Sequence, residues 1–285
     1  MSYRKAFIVE PQSKVRLDKI NPAATDKHET HDAAQAGIAH NLERLRRAQY
    51  LLYADAGQSL LVVLQGLDAS GKDGTIQHIF SGVNPLGVKA VRFNPPTPAE
   101  LAHDFLWRVH AHAPAKGEIV IFNRSHYEDV LVVRVHKLVP KSVWSKRYGE
   151  INDFEALLAR NGTRILKFYL HIGPEEQLQR FQQRLEDPTR HWKISESDYT
   201  ERELWPKYIH AYEDAISETS TEHAPWFIIP SNHKWFRNLA ISQIIADTLD
   251  EMKLKLPPAR ANIQEIRRKY HAAEKEDFPG QHPSG

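Results

Sequence analysis

Apolar residues fall along this chain in short continuous runs, separated by longer stretches where they recur every third or fourth position. That is the alternation of buried strands with amphipathic helices. The run inside Ser59-Leu60-Leu61-Val62-Val63-Leu64-Gln65 is partly β-branched and ends in a glycine-rich turn, so it predicts a buried parallel strand. Runs at 88–93, 118–122, 163–172 and 226–230 predict four more strands. Between them, Ile38, Leu42, Leu45, Ala48 and Leu52 predict a helix over 34–56 that packs on the sheet edge. Thr97-Pro98 opens a helix carrying Leu101, Phe105, Leu106 and Val109 inward, and an aromatic-rich helix lies between Pro140 and the stop signal Asn161-Gly162. Pro174 opens a helix with Leu178, Phe181 and Leu185 on one side and Arg180 and Arg184 nearby; helices over 198–219 and 235–253 complete the set. Residues 1 to about 30 read as polar and irregular, and the stretch after Pro257-Pro258 as a polar, loosely held tail.

Strands alternating with helices imply a parallel sheet with right-handed crossovers, covered on both faces. The expected fold is α/β, a three-layer sandwich of about five strands. Its divisions are an N-terminal extension and helix (1–57), a main domain (58–256) and the tail (257–285).

At 285 residues the chain fits one large α/β domain with decorations, or at most two domains, and 41% hydrophobic with 26% charged residues is an ordinary globular composition. A net charge of +2 leaves no global bias toward a polyanion, so any basic site is local. With no basic helix stripe interleaved with aromatics, nucleic acid is not an expected partner. The absence of cysteine excludes disulfides, thiolate catalysis and Cys-ligated zinc, and fits a reducing compartment. Ala6-Phe7-Ile8-Val9 is too brief for a signal h-region or a membrane span, which makes a cytoplasmic protein the expectation. Neither His28 with His31 nor His110 with His112 has the neighbours of a metal centre, so histidine ligation is not expected among the sixteen histidines. The six tryptophans suit core positions, Trp192 excepted.

The chemistry concentrates after the first strand. Gly66-x4-Gly71-Lys72 has the spacing of a phosphate-cradling loop: glycines let backbone N–H groups close around anionic oxygens, a helix amino end adds partial positive charge, and the lysine adds a full one. Gly66, Ala69, Ser70, Gly71, Lys72, Asp73 and Gly74 make up this cradle. Asp73 stands where a magnesium-holding Ser or Thr is usual. Asp68 sits inside the loop, where a bare carboxylate would repel phosphate, and a divalent cation between them resolves the conflict. The third strand empties into Asn123-Arg124-Ser125-His126-Tyr127-Glu128-Asp129-Val130, placing an arginine and two acids at the carboxyl edge of the sheet, where ligands of such folds bind. Phosphoryl transfer needs metal to bridge oxygens, cations to neutralise charge and a device that shuts out water. Asp68 and Asp129 could hold the metal, Lys72 and Arg124 could neutralise charge, and the segment from Arg184 to Lys193 could close over the site. An ATP-dependent small-molecule kinase shares all of these features, and a nucleotide-binding switch shares the loop.

Three motifs in order, Gly66-Leu67-Asp68-Ala69-Ser70-Gly71-Lys72-Asp73-Gly74, Asn123-Arg124-Ser125-His126-Tyr127-Glu128-Asp129-Val130-Leu131, and Arg184-Leu185-Glu186-Asp187-Pro188 with His191-Trp192-Lys193, resemble those of the polyphosphate kinase 2 family. The likeness runs from about Gln58 to Met252 and includes both departures from the general loop pattern. It implies a P-loop kinase fold similar to thymidylate kinase with a helical lid over about 184–205, and Mg²⁺-dependent transfer of the terminal phosphate of inorganic polyphosphate to a nucleotide, with Mn²⁺ as a substitute ion. By motif, Asp68 and Asp129 would bind the metal, joined by Glu128, while Lys72, Arg124 and Arg184 would hold phosphates. Glu128 resembles the acid of members that accept nucleoside monophosphates as well as diphosphates, where others have Asn, so AMP and ADP are the expected acceptors, with GMP and GDP alongside. Asn123 and Arg92 are expected on the nucleotide side, and Arg92, Arg124, Arg134, Lys137, Arg184 and Lys193 are candidates to line a polyphosphate channel. The aromatic-rich helices suggest self-association as a dimer or tetramer.

Overall fold

A computed structural model describes residues 3–25 and 30–277; His28 lies outside them. Five parallel strands form one sheet in the order β2-β3-β1-β4-β5: β1 (Ser59–Gln65), β2 (Val88–Arg92), β3 (Ile119–Asn123), β4 (Thr163–His171) and β5 (Trp226–Pro230). β1 is central and buried at every position, as its apolar run requires. Its side chains alternate between two cores: Leu61 and Val63 face one, Leu60, Val62 and Leu64 the other. The α/β three-layer expectation is met.

The helices are α1 (Tyr3–Phe7), α2 (His31–Asp55), α3 (Lys72–Phe80), α4 (Pro98–Leu101), α5 (Trp107–His110), α6 (Glu128–Val135), α7 (Lys141–Trp144), α8 (Arg147–Arg160), α9 (Pro174–Glu186), α10 (Glu196–Glu203), α11 (Trp205–Thr219), α12 (Lys234–Glu251) and α13 (Ile263–Asp277). Residues of α6, α8 and α11 fill the first core, and residues of α2, α3 and α12 fill the second.

Several elements differ from expectation. The N-terminal stretch is ordered: Tyr3, Val9, Val15 and Leu17 are buried, and Val9 N–H donates to the Trp226 carbonyl at 2.8 Å, so the segment seals the β5 edge. α2 lies on a sheet face against α12 rather than at the edge, because Ala34, Ile38, Leu45, Ala48 and Leu52 share the second core. The Thr97 helix is two short pieces. A capping box between Thr97 and Glu100 starts α4, which stops within a turn and leaves Leu101 exposed. The aromatic-rich segment divides into α7 and α8, and the 198–219 helix into α10 and α11, the second break falling at Leu204 just before Pro206. α9 turns Gln177, Arg180 and Phe181 inward and leaves Leu178 and Leu185 exposed. The tail contains α13, with Ile263, Ile266 and Tyr270 exposed.

Behind β3 and β4 lies an ionic cluster that the strand pattern hides. Lys167, mid-strand in β4 and fully buried, donates to Glu155 Oε2 at 2.5 Å, Tyr127 Oη at 2.8 Å and the Thr219 carbonyl at 2.6 Å. Glu155 Oε1 also accepts from Tyr127 Oη at 2.9 Å and lies 3.2 Å from His126 Nε2. Burial works against the Glu155 carboxylate, but Lys167 and His126 outweigh it and hold it below its ordinary value. This cluster anchors residues 126 and 127, which connect β3 to α6.

Candidate active site

β1 leaves the core at Gln65, and the turn that follows takes a backbone shape few residues tolerate. Gly66 and Gly71 have φ of +152° and +103°, and Ala69 sits at +60°. A Cβ on Gly71 would fall 1.9 Å from Arg237 Nη1, and the φ of +103° is one that residues with a side chain rarely adopt. The loop runs into the amino end of α3, the arrangement that suits an anion. Lys72 is buried and folds back over the loop, its Nζ donating to the carbonyls of Gly66 at 2.7 Å and Leu67 at 3.2 Å. Burial, with the Arg124 guanidinium adding to it, pushes the Lys72 ammonium down to about 8. Ser70 Oγ is buried and unpartnered among the described residues.

β3 delivers the second half of the site, because parallel pairing sets Asn123 beside Leu64. Asn123 Nδ2 donates at 2.6 Å to Oδ1 of Asp73, the residue that stands where the loop motif usually has a hydroxyl. Arg124 adopts φ +60°, a left-handed turn that costs about 1–3 kcal/mol in a non-glycine residue. That turn carries its guanidinium across to Asp68 Oδ1 at 2.7 Å and Glu128 Oε2 at 3.2 Å. Burial pushes the Arg124 guanidinium down, but Glu128 and Asp68 outweigh it and raise its pKa. Asp129 faces another partner: Arg147 Nη1 donates to its carbonyl at 2.9 Å and to Oδ1 at 3.2 Å. Burial pushes Asp129 up to about 6, with Arg147 and Arg108 opposing.

The structure thus gathers Asp68, Lys72, Arg124, Glu128, Asn123 and Asp73 at one end of the sheet. The remaining candidates are spread around it. Arg92 is exposed at the carboxyl end of edge strand β2, in register with Asn123. Arg134 is engaged by Asp214 at 2.8 Å, Tyr148 Oη at 3.3 Å and the Trp144 ring at 4.5 Å. Over 184–193 Arg184 Nη1 donates to the Lys193 carbonyl at 2.8 Å, and Lys193 Nζ stands 4.7 Å from the Trp192 ring, itself exposed. α10 is docked: Arg202 donates to the Pro174 carbonyl at 2.8 Å, and Tyr199 packs on Phe181.

Three residues that hold the loop from behind were invisible to motif reading. Gln177 Nε2 donates to the Asp68 carbonyl at 2.8 Å; Arg180 Nη1 donates to the carbonyls of Ala69 at 2.8 Å and Ser70 at 3.1 Å; Arg237 Nη1 donates to the Ser70 carbonyl at 3.3 Å. The available signal was Gln177, Arg180 and Phe181, spaced to share one face of α9.

Among the described residues no three His, Asp or Glu side chains gather into a metal cage. The donors are instead carboxylates flanking one arginine, a set that suits Mg²⁺, which takes one or two carboxylates and completes its shell with water and phosphate oxygens.

A five-stranded parallel sheet, a phosphate loop after the central strand and an arginine with acids facing it define a P-loop kinase-like protein. More narrowly, the chain belongs to the polyphosphate kinase 2 family, whose model matches residues 27–257. It is 50% identical over 263 residues, 92% of this chain and 98% of the relative, to an AMP/ADP-polyphosphate phosphotransferase of Meiothermus ruber. It is 42% identical, over 90% of this chain and 94% of the other, to an ADP-polyphosphate phosphotransferase of Rhodopseudomonas palustris. The crystal structure of polyphosphate kinase 2 from Arthrobacter aurescens TC1 superposes with a TM-score of 0.91 at 36% identity, covering 95% of this chain and 97% of that one.

Proposed function

We infer that this protein is a polyphosphate-dependent nucleotide kinase that moves the terminal phosphate of inorganic polyphosphate to AMP and to ADP, reversibly, and accepts GMP and GDP as well. The observation that carries this reading is the meeting of Asp68 and Glu128 on Arg124 beside the phosphate loop, in a chain of this family. The 50% identical relative named for both AMP and ADP supports it, and the ATP-dependent kinase reading is not favoured.

The loop from Gly66 to Gly74 would cradle the phosphates, with Lys72 lending charge once it swings from its two carbonyl partners to a phosphate oxygen. Arg124, already held protonated, would neutralise charge on the migrating group, and Arg184 would add to this from the lid. Glu128 shares Arg124 with Asp68 and would set acceptor choice, with Asn123 and Arg92 on the same side. Magnesium would be held by Asp68 with Glu128 and would neutralise phosphate charge; Asp129, paired with Arg147, would have to turn from that partner to join them. The acceptor phosphate is itself anionic, so positioning and charge relief matter more than a strong base. Arg134, Lys137 and Lys193 would extend the phosphate path outward. The exposed Ile263, Ile266 and Tyr270 of α13 support a homo-oligomer, which light scattering on the purified protein would test.

A coupled assay with AMP, ADP, GMP and GDP against polyphosphate tests the reading. Wild type should use AMP and ADP, and Glu128→Asn should lose AMP use by at least about tenfold while keeping ADP use, the scale of one lost charge contact. Equal loss of both acceptors would remove Glu128 from acceptor selection.

A further inference from the structure

Arg237 is a buried guanidinium short of an acid. It is 3% exposed, and its partners are the Ser70 carbonyl at 3.3 Å and Asn238 Oδ1 at 2.9 and 3.1 Å, all uncharged. Among the described residues no carboxylate pairs with it, whereas its neighbour Arg180 has Glu176 at 2.7 Å. Further positive charge surrounds it, from Arg180 and Lys234. Burying an unpaired cation is costly, and a fold usually pairs it or leaves it at the surface. Here it lies against the back of the phosphate loop, its Nη1 1.9 Å from where a Cβ on Gly71 would fall. Its hydrogen bond, like the one from Arg180, lands on the Ser70 carbonyl. That pull polarises the Ser70–Gly71 peptide and makes the Gly71 N–H a stronger donor at the face of the loop where phosphate binds.

We propose that Arg237 is a positioning residue whose uncompensated charge is reserved for the phosphate chain in the loop: it stiffens the Ser70–Gly71 peptide, raises affinity for polyphosphate, and is neutralised only when the loop is filled. This rests on the reading that the loop holds polyphosphate. Burial pushes the Arg237 guanidinium down to about 9, with Arg180 adding to it, as expected of a cation lacking its counter-charge. Arg180 also donates to the Ser70 carbonyl, so the loop keeps a rear contact there when Arg237 is replaced. Removing the charge should therefore weaken the ligand without weakening the empty protein.

The test is calorimetric binding of Mg²⁺-tripolyphosphate to wild type, Arg237→Gln and Arg237→Lys, together with the thermal midpoint of each protein without ligand. Arg237→Gln keeps a donor for Asn238 and should bind about tenfold more weakly, the scale of one partly screened charge near an anion. Its KM for polyphosphate should rise in step, kcat should stay within about threefold, and its ligand-free midpoint should equal or exceed that of wild type. Arg237→Lys should bind within about threefold of wild type. The proposal is overturned if Arg237→Gln binds as tightly as wild type, if it fails to fold or melts earlier without ligand, or if Arg237→Lys loses as much affinity as Arg237→Gln. If wild type itself does not bind tripolyphosphate, the functional reading falls and takes this inference with it.

Discussion

At the scale of single residues, the loop lysine decides most. Lys72 is the full charge in the cradle, and losing one preorganised charge-stabilising group costs turnover on the order of 10²-fold or more. Lys72→Ala should show that loss in steady-state assays with both acceptors; near-wild-type turnover would remove Lys72 from the mechanism. Its buried ammonium also gives a pH signature. With the free-loop value lowered to about 8, Lys72 is protonated at pH 7 and neutral well above 8. Phosphate favours the protonated form, so affinity for polyphosphate should fall as pH rises through about 8, beyond any change seen in Lys72→Arg, whose guanidinium stays charged. Parallel profiles for the two proteins would show that another group titrates. The residues around Lys72 were legible because the loop motif places them. Arg124 was legible as a charge, but its left-handed turn was not, since only the crossing to Asp68 explains why an arginine accepts that geometry.

At the scale of elements, what joins the motifs is the packing behind them. The turn from β3 into α6 is pinned by Tyr127 and His126 to the buried Glu155–Lys167 pair. Breaking a buried pair strands a charge, so Lys167→Met should cost about 3–5 kcal/mol in urea unfolding, and Lys167→Met with Glu155→Leu should recover most of it. Additive losses in the double variant would show that the two side chains act independently. Element positions were legible where burial is uniform, as in β1 and β5. They were less so where a helix buries polar side chains: α9 puts Gln177 and Arg180 inward to hold loop carbonyls, which defeats a reading that sends leucines to the core. The N-terminal stretch misled for a related reason. Four scattered residues, Tyr3, Val9, Val15 and Leu17, supply its buried contacts, and so sparse a pattern has no period to detect.

At the scale of the whole molecule, a net charge of +2 hides a local asymmetry: Lys72, Arg124, Arg180 and Arg237 converge near one end of the sheet. A polyanion held there displaces counterions, so affinity for long polyphosphate should weaken steeply between low and high salt. A flat dependence would exclude an extended cationic path. No helix among the described residues is long and apolar enough to cross a membrane. In the proposed reaction phosphate passes directly from polyphosphate to a nucleotide in this loop. The most direct measurement is phosphorus NMR of purified protein with ADP, Mg²⁺ and polyphosphate as the sole phosphate donor. The ATP γ-phosphate signal should grow in step with shortening of the polymer, and chelator or Asp68→Asn should abolish both changes. ATP formation that persists in either control, or polymer that stays intact while ADP is consumed, would contradict that reaction.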